Sequence, residues 1–138
     1  MQSIFFLGKD TLSPPDANPD LVLVPSDLVL LLTVTLPATS RAKLRQALPF
    51  ALEEQLLDEV QELHFAPGTR RESGELPVAI VSKTVMQDWM QQLTALKLTP
   101  QQLLPLTLAL PFNAHTWHVF VPDVAYVRTG SHSGFNCD

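Results

Sequence analysis

Twelve prolines in 138 residues limit the length of every regular element this chain can build. Proline fixes φ, lacks an amide donor and pushes the residue before it out of the helical region. An uninterrupted helix or central strand therefore has to fit between two of them. Ser3 to Leu7 reads as a short buried strand, followed by a loop at Thr11 to Asp20 that holds Pro14, Pro15, Asn18 and Pro19. Leu21-Val22-Leu23-Val24 is a second strand, stopped at Pro25-Ser26-Asp27, and Leu28 to Leu36 is a third. The two-residue spacing around Ser26-Asp27 predicts a hairpin between them.

Pro37-Ala38-Thr39-Ser40 closes that opening, and Thr39 or Ser40 can cap a helix carrying Leu44, Leu48, Ala51, Leu52 and Leu56 at helical spacing. Pro49 inside this pattern predicts a kink or two abutting helices. Val60 to Phe65 reads as a strand, Ala66 to Glu75 as a loop and Pro77 to Val81 as a buried strand. Ser82 caps the next helix, with an apolar stripe of Val85, Met86, Trp89, Met90, Leu93 and Leu96 that ends at Lys97 before Pro100. Leu98 to Leu104 reads as a strand and Pro105 to Leu110 as an apolar turn or short helix. Trp117 to Val121 and Ala125 to Arg128 make a second hairpin turning at Pro122-Asp123. The fold class is α+β: residues 37–104 follow α-β-β-α-β, inserted into a mixed sheet begun by residues 3–36 and resumed by 116–129.

Composition narrows the function classes. With 46% hydrophobic and 17% charged residues the chain is globular. Its 14 acidic and 9 basic residues give a net charge of −5, which supplies no general attraction for nucleic acid or anionic lipid. No secretory signal is visible, since Met1-Gln2-Ser3-Ile4-Phe5-Phe6 has no basic n-region and its apolar run stops at Gly8-Lys9-Asp10. The longest apolar runs, Leu28 to Leu36 and Leu103 to Phe112, are about half the ~20 residues that cross a bilayer. Cys137 is the sole cysteine and has no internal partner, which fits a reducing compartment.

Catalytic and metal-binding patterns are weak. His115, His118, His132 and Cys137 suit zinc chemically, but the spacing of His115 and His118 puts them on opposite faces of a strand. Surface histidines are the better reading. Cys137 with His132 as base lacks any other sign of a site. Gly8-Lys9 is not a phosphate-binding loop, because the upstream glycine and following Ser or Thr are missing. Trp89 with Met86 and Met90 fits a helix core. No cofactor and no metal is expected.

The charges around the first helix are more informative. Arg41, Lys43 and Arg45 crowd its start, and Glu53, Glu54, Asp58, Glu59 and Glu62 crowd its end and beyond. This order opposes the helix dipole, at about 0.3–1 kcal/mol per exposed charge. A solvated face neutralised by neighbours is the plain explanation; a charged surface that steers a partner is the sharper one.

Leu36-Pro37, Leu48-Pro49-Phe50-Ala51-Leu52-Glu53-Glu54-Gln55-Leu56 and Glu62-Leu63-His64-Phe65-Ala66 resemble the N-terminal cytoplasmic region of the type II secretion system protein L family. Val127-Arg128-Thr129-Gly130 and Gly134-Phe135-Asn136-Cys137-Asp138 resemble two further blocks of that family, so the likeness runs in order along nearly the whole chain. The resemblance implies an actin-like (RNase H-like) first-lobe fragment related to type IV pilus assembly protein M. Residues 1–36 plus 105–138 would form the first-lobe sheet and residues 37–104 an inserted α/β subdomain. It also implies a scaffold on the cytoplasmic face of the bacterial inner membrane that binds the N-terminal domain of the secretion ATPase. Other platform proteins would be contacted through regions of longer family members, and a homodimer is left open. The family's longer members carry one membrane-spanning helix, so a chain ending at Asp138 is expected to be a fragment without membrane contact of its own. The eight charged positions named above are then the candidate partner-binding residues. The alternative is a nucleotide-binding actin-like ATPase fragment. Active members of that superfamily carry Asp-x-Gly after the first strand, where this chain has Phe6-Leu7-Gly8 and so no carboxylate to organise Mg²⁺ and a γ-phosphate.

Overall fold

Leu21, Val22, Leu23 and Val24 show no polar alternation, and all four are buried. A strand covered on both faces reads this way in a parallel sheet. In the structure, a computed structural model that describes residues 4–8, 18–37, 39–122 and 124–137, this strand is the middle of one. Strand β1 (Ile4–Phe6) pairs parallel with β2 (Leu21–Val24), and β2 pairs parallel on its other edge with β6 (Gln102–Pro105). The start of the first strand at Ser3, Lys9, positions 11–17 of the first loop, Asp123 of the last turn and Asp138 lie outside the described residues.

The expected hairpin between β2 and the strand after it does not form. Both edges of β2 are taken, and residues Ser26–Leu28 coil into a 3-10 turn whose Ser26 hydroxyl accepts from the buried Thr107 N–H at 2.9 Å. The next strand, β3 (Leu30–Thr35), pairs antiparallel with β5 (Glu75–Ser82), from Leu30 opposite Ile80 to Thr35 opposite Glu75. β5 in turn pairs antiparallel with β4 (Leu63–Pro67). The mixed sheet expected from residues 3–36 and 116–129 is thus, among the described residues, divided over three separate three-stranded sheets: β1-β2-β6, β3-β5-β4 and β7-β8-β9. The last is built from β7 (His118–Phe120), β8 (Ala125–Arg128) and β9 (Gly134–Cys137), all antiparallel. Its β7–β8 hairpin agrees with the sequence reading, whereas β9 was not foreseen.

The chain divides into two compact units, 1–28 with 87–138, and 29–86. These limits differ from the partition at 36/37 and 104/105, because β3 pairs with β5 and β6 pairs with β2. The order α-β-β-α-β predicted for 37–104 is present, as a helix at Arg41–Leu52, β4, β5, a helix at Lys83–Ala95 and β6. The compact 29–86 unit, however, gathers β3, the first helix, β4 and β5.

Helix α1 (Arg41–Leu52) opens on Ser40, which has extended backbone and accepts from the Lys43 N–H at 3.4 Å. Pro49 lies inside it, yet the helix is continuous to Leu52 and then tightens into one 3-10 turn at Glu53–Gln55. Leu44, Leu48 and Leu52 form its buried stripe and pack with Val34, Leu63, Leu76, Val78 and Ile80. Burying each such side chain contributes about 1.5–3 kcal/mol. Gly74, at φ 93°, makes the turn between β4 and β5, a conformation that a side chain would strain. Pro77 is tolerated in the central strand because its carbonyl accepts from Gly68 N–H just past the last β4 residue, so its absent donor falls beyond that ladder.

In the other unit, Arg128 ties irregular segments together. Its guanidinium donates to the carbonyls of Leu108, Leu110, Gly130 and Ser131 at 2.5–3.0 Å and sits 5.3 Å from the Phe112 ring centroid. Burial lowers its pKa from the ordinary value. Asn18 and Thr99 exchange two hydrogen bonds of 2.8 and 3.0 Å ahead of β2 and β6.

Helix α2 (Lys83–Ala95) is capped by Ser82, whose hydroxyl accepts from Thr84 and Val85 N–H. Trp89 and Leu93 are buried, Val85, Met86 and Leu96 are half-buried, and Met90 is exposed at 52%, so it leaves the expected stripe. The helix ends on Lys97 at φ 58°, with Leu98 N–H reaching back to Leu93 carbonyl at 2.9 Å. That is a Schellman ending carried by a residue other than glycine.

Trp89→Ala should destabilise the chain by about 3–5 kcal/mol in chemical denaturation, as large core truncations do; an unmoved midpoint would contradict the burial of that face. Lys97→Gly should raise stability by about 1 kcal/mol by relieving the left-handed backbone, and a lowered midpoint would contradict that ending.

Candidate functional site

All eight charged positions lie in the 29–86 unit, and all eight are exposed. Among the described residues no salt bridge includes any of them; the pair present is Arg71–Glu75 at 3.2 Å. The plain explanation, neutralisation by close neighbours, therefore finds no ion pair to support it. Fewer charges than the sequence suggests oppose the helix dipole. α1 stops at Leu52, so Arg41 and Lys43 oppose its start and Glu53 and Glu54 its end. Asp58, Glu59 and Glu62 lie past the last turn, beyond the reach of the dipole.

The three basic residues do not form one patch. At about 100° per residue, Lys43 lies about 140° round the helix from the middle of the Leu44, Leu48 and Leu52 stripe, and Arg45 about 60°. Arg45 instead lines a groove with His64, Phe65 and Pro67 of β4 and with Lys83, the first residue of α2. Lys83 is held there by a 2.6 Å bond from Nζ to the Gln61 carbonyl. The His64 imidazole is pulled below its usual pKa, first by partial burial and then by the Arg45 and Lys83 charges.

On the other side of Leu63 the sign reverses. Asp58, Glu59 and Glu62 line a hollow with Leu63 and Ser82. Glu53, Asp58 and Glu59 line a second hollow with Leu56 and Leu57. Leu57 is fully exposed, and Phe50 on the last turn of α1 is 78% exposed. Arg41, Lys43 and Glu54 line none of these hollows. The structure thus brings together five of the eight positions as an acidic side (Glu53, Asp58, Glu59, Glu62) and a basic side (Arg45). Sequence reasoning missed Lys83 and His64, the other two members of the basic side. The cap at Ser82 pointed to Lys83, but nothing local revealed that β5 delivers it beside β4.

The remaining sequence candidates are dispersed. His115 sits at φ 65° in an exposed turn, His118 lies on β7 with Nδ1 buried and unpaired, and Cys137 is exposed on β9. Among the described residues no three His, Cys, Asp or Glu side chains are grouped to hold a metal. At the end of β1 the Phe6 ring folds over Gly8, 3.0 Å from where a Cβ would stand. Val119, Val127 and Phe135 are cross-strand neighbours on one face of β7-β8-β9, where Val119 and Phe135 are exposed and Trp117 packs edge-on to Phe135. Among the described residues no helix is long and apolar enough to cross a membrane.

The fold is therefore a mixed α/β domain that carries a β-α-β-β unit with oppositely charged hollows. Residues 7–138 match the family model described as type II secretion system (T2SS), protein L, and the chain belongs to that family. Protein L of Klebsiella pneumoniae is 37% identical over 132 residues, covering 95% of this chain and 31% of the relative. That of Pectobacterium carotovorum subsp. carotovorum is 38% identical over 102 residues, covering 74% and 24%. The chain thus spans about a quarter to a third of the length of these relatives. The solved cytoplasmic domain of EpsL, an inner membrane component of the type II secretion system of Vibrio cholerae, shares the fold with a TM-score of 0.73 at 24% identity, over 86% of this chain and 50% of that one.

Arg45→Ala should raise the His64 pKa, because it removes a cation that penalises the imidazolium; proton NMR titration reads the shift. A His64 folded pKa held low favours the neutral ring, so its contribution to stability is present above the unfolded pKa and lost as pH falls through the folded one. An unchanged His64 pKa in the variant would contradict the shared groove.

Proposed function

We propose that this chain is part of the cytoplasmic scaffold of the type II secretion inner-membrane platform, where it helps to hold the secretion ATPase and carries no catalysis of its own. The family match over residues 7–138 is the observation that carries this reading. The fold shared with a cytoplasmic domain of an inner membrane component supports the actin-like character and the cytoplasmic setting. The 29–86 unit is the docking element in this account. Its eight candidate charges are exposed and, among the described residues, in no ion pair, and those that line the hollows are sorted by sign, so they can meet complementary charges on a partner. The N-terminal domain of the ATPase is the partner proposed for the acidic side, with Leu57 as its apolar contact.

A nucleotide-binding role is disfavoured by the same turn that an active actin-like enzyme would use. Phe6 supplies an aromatic ring where Mg²⁺ requires a carboxylate, and the ring covers Gly8. Calorimetric titration with millimolar Mg²⁺-ATP should give no saturable heat; one-site binding would restore the enzyme reading.

Reversing Glu59 and Glu62 to lysine should slow association with the ATPase N-terminal domain and flatten its salt dependence, because exposed charges act mainly on the on-rate. Surface-plasmon binding at low and high salt measures it, with circular dichroism confirming the fold. Unaltered association rates would remove the acidic side from the interface.

A further inference from the structure

β4 is an edge strand: β5 covers one side of it and no strand of the described residues covers the other. Gly68 N–H donates to Pro77 carbonyl, and the ladder pairs Leu63 with Ser82 through to Pro67 with Val78. Alternation along the strand then turns His64 and Ala66 toward β5, and turns the main-chain groups of Leu63, Phe65 and Pro67 outward. Leu63 N–H is taken by the Val60 carbonyl, and Pro67 has none. The open edge therefore offers Phe65 N–H as its donor and the carbonyls of Leu63, Phe65 and Pro67 as acceptors. Arg45 and Lys83 flank this edge, His64 stands beside them, and among the described residues no carboxylate lines the groove.

Charges and proline on an edge strand guard it against indiscriminate pairing. The guard here has one sign, so it discriminates among partners. A second copy docking β4 against β4 would set the same cations against each other, which disfavours self-pairing, whereas a segment carrying carboxylates meets opposite charges. We propose that the open edge of β4 takes an extended, acidic segment of a partner protein as an added strand. Its backbone pairs with Phe65 and the outward carbonyls, and its carboxylates meet Arg45 and Lys83. The inference rests on the docking role of the 29–86 unit and names the kind of segment its basic side accepts.

Amide exchange of the 138-residue chain, followed by NMR, tests it with two capped synthetic peptides, one alternating Glu and Val and one alternating Lys and Val. The acidic peptide should slow exchange at Phe65 by about tenfold or more while His64 and Ala66, already bonded to β5, change little. The lysine peptide should leave Phe65 unchanged. The double variant Arg45→Glu, Lys83→Glu should lose the protection; both positions are exposed, and an acid at the start of α2 suits the helix dipole, so it should fold as the parent does. Free exchange at Phe65 with millimolar acidic peptide, or equal protection by both peptides, would overturn the proposal. The ATPase N-terminal domain separates this inference from the tethering reading. Its binding, while the acidic peptide leaves Phe65 freely exchanging, overturns only the strand addition. Its failure to bind, while the acidic peptide protects Phe65, overturns only the tethering.

Discussion

The pairing of β3 with β5 decides how the rest of this chain is arranged. The two strands are separated in sequence by α1 and β4, yet they align over six residue pairs from Leu30–Ile80 to Thr35–Glu75. That ladder closes residues 29–86 into a unit of their own and gives α1 a sheet on which to bury Leu44, Leu48 and Leu52. Closing so long a loop costs only slowly more entropy as the loop lengthens. A buried cluster of eight apolar residues is sufficient to offset it. The same ladder fixes β5 as the centre of its sheet and leaves β4 at the edge, and β5, by ending at Ser82, sets Lys83 beside Arg45 and His64.

In the proposed reading function is carried by surface, and around β4 that surface is organised by sign. Leu63 lines both the basic groove and the acidic hollow, so a single buried side chain marks the change from cationic to anionic. Exposed pairs contribute little to folding, which leaves such residues available for recognition. The opposite is true of Arg128. It lies in a sequence block that resembles the family, but its guanidinium is consumed by four carbonyls and the Phe112 ring, so its task is structural. A charged residue in a family block need not be a contact residue.

Local chemistry was legible in the sequence where a short stretch determines it. Ser40 and Ser82 cap the helices they precede, the run Leu21 to Val24 is a buried strand, and Trp89 faces inward. Pairing was not legible, because both the third strand and the strand before Pro105 are short apolar runs that periodicity cannot assign to a partner. Adjacent strands commonly pair, so a hairpin at Ser26 was the natural reading, and the occupied edges of β2 forbid it. The site suffered in the same way. Charges from Arg41 to Glu62 read as a reversed dipole around one helix, whereas Arg45 groups with Lys83, and Glu53, Asp58, Glu59 and Glu62 gather at hollows past the helix end. Resemblance identified the family, and only the register sorted the charges.

The central claim is that residues 29–86 form the face that meets the secretion ATPase. Another surface competes with it, the apolar face of β7-β8-β9 with Val119, Phe135 and Trp117. Photoreactive side chains introduced at Leu57 and, separately, at Val119 in cells that assemble the secretion apparatus compare the two directly. The account predicts a covalent adduct with the ATPase from Leu57 and none from Val119. An adduct from Val119 with none from Leu57 would contradict it and move the docking face to the other unit.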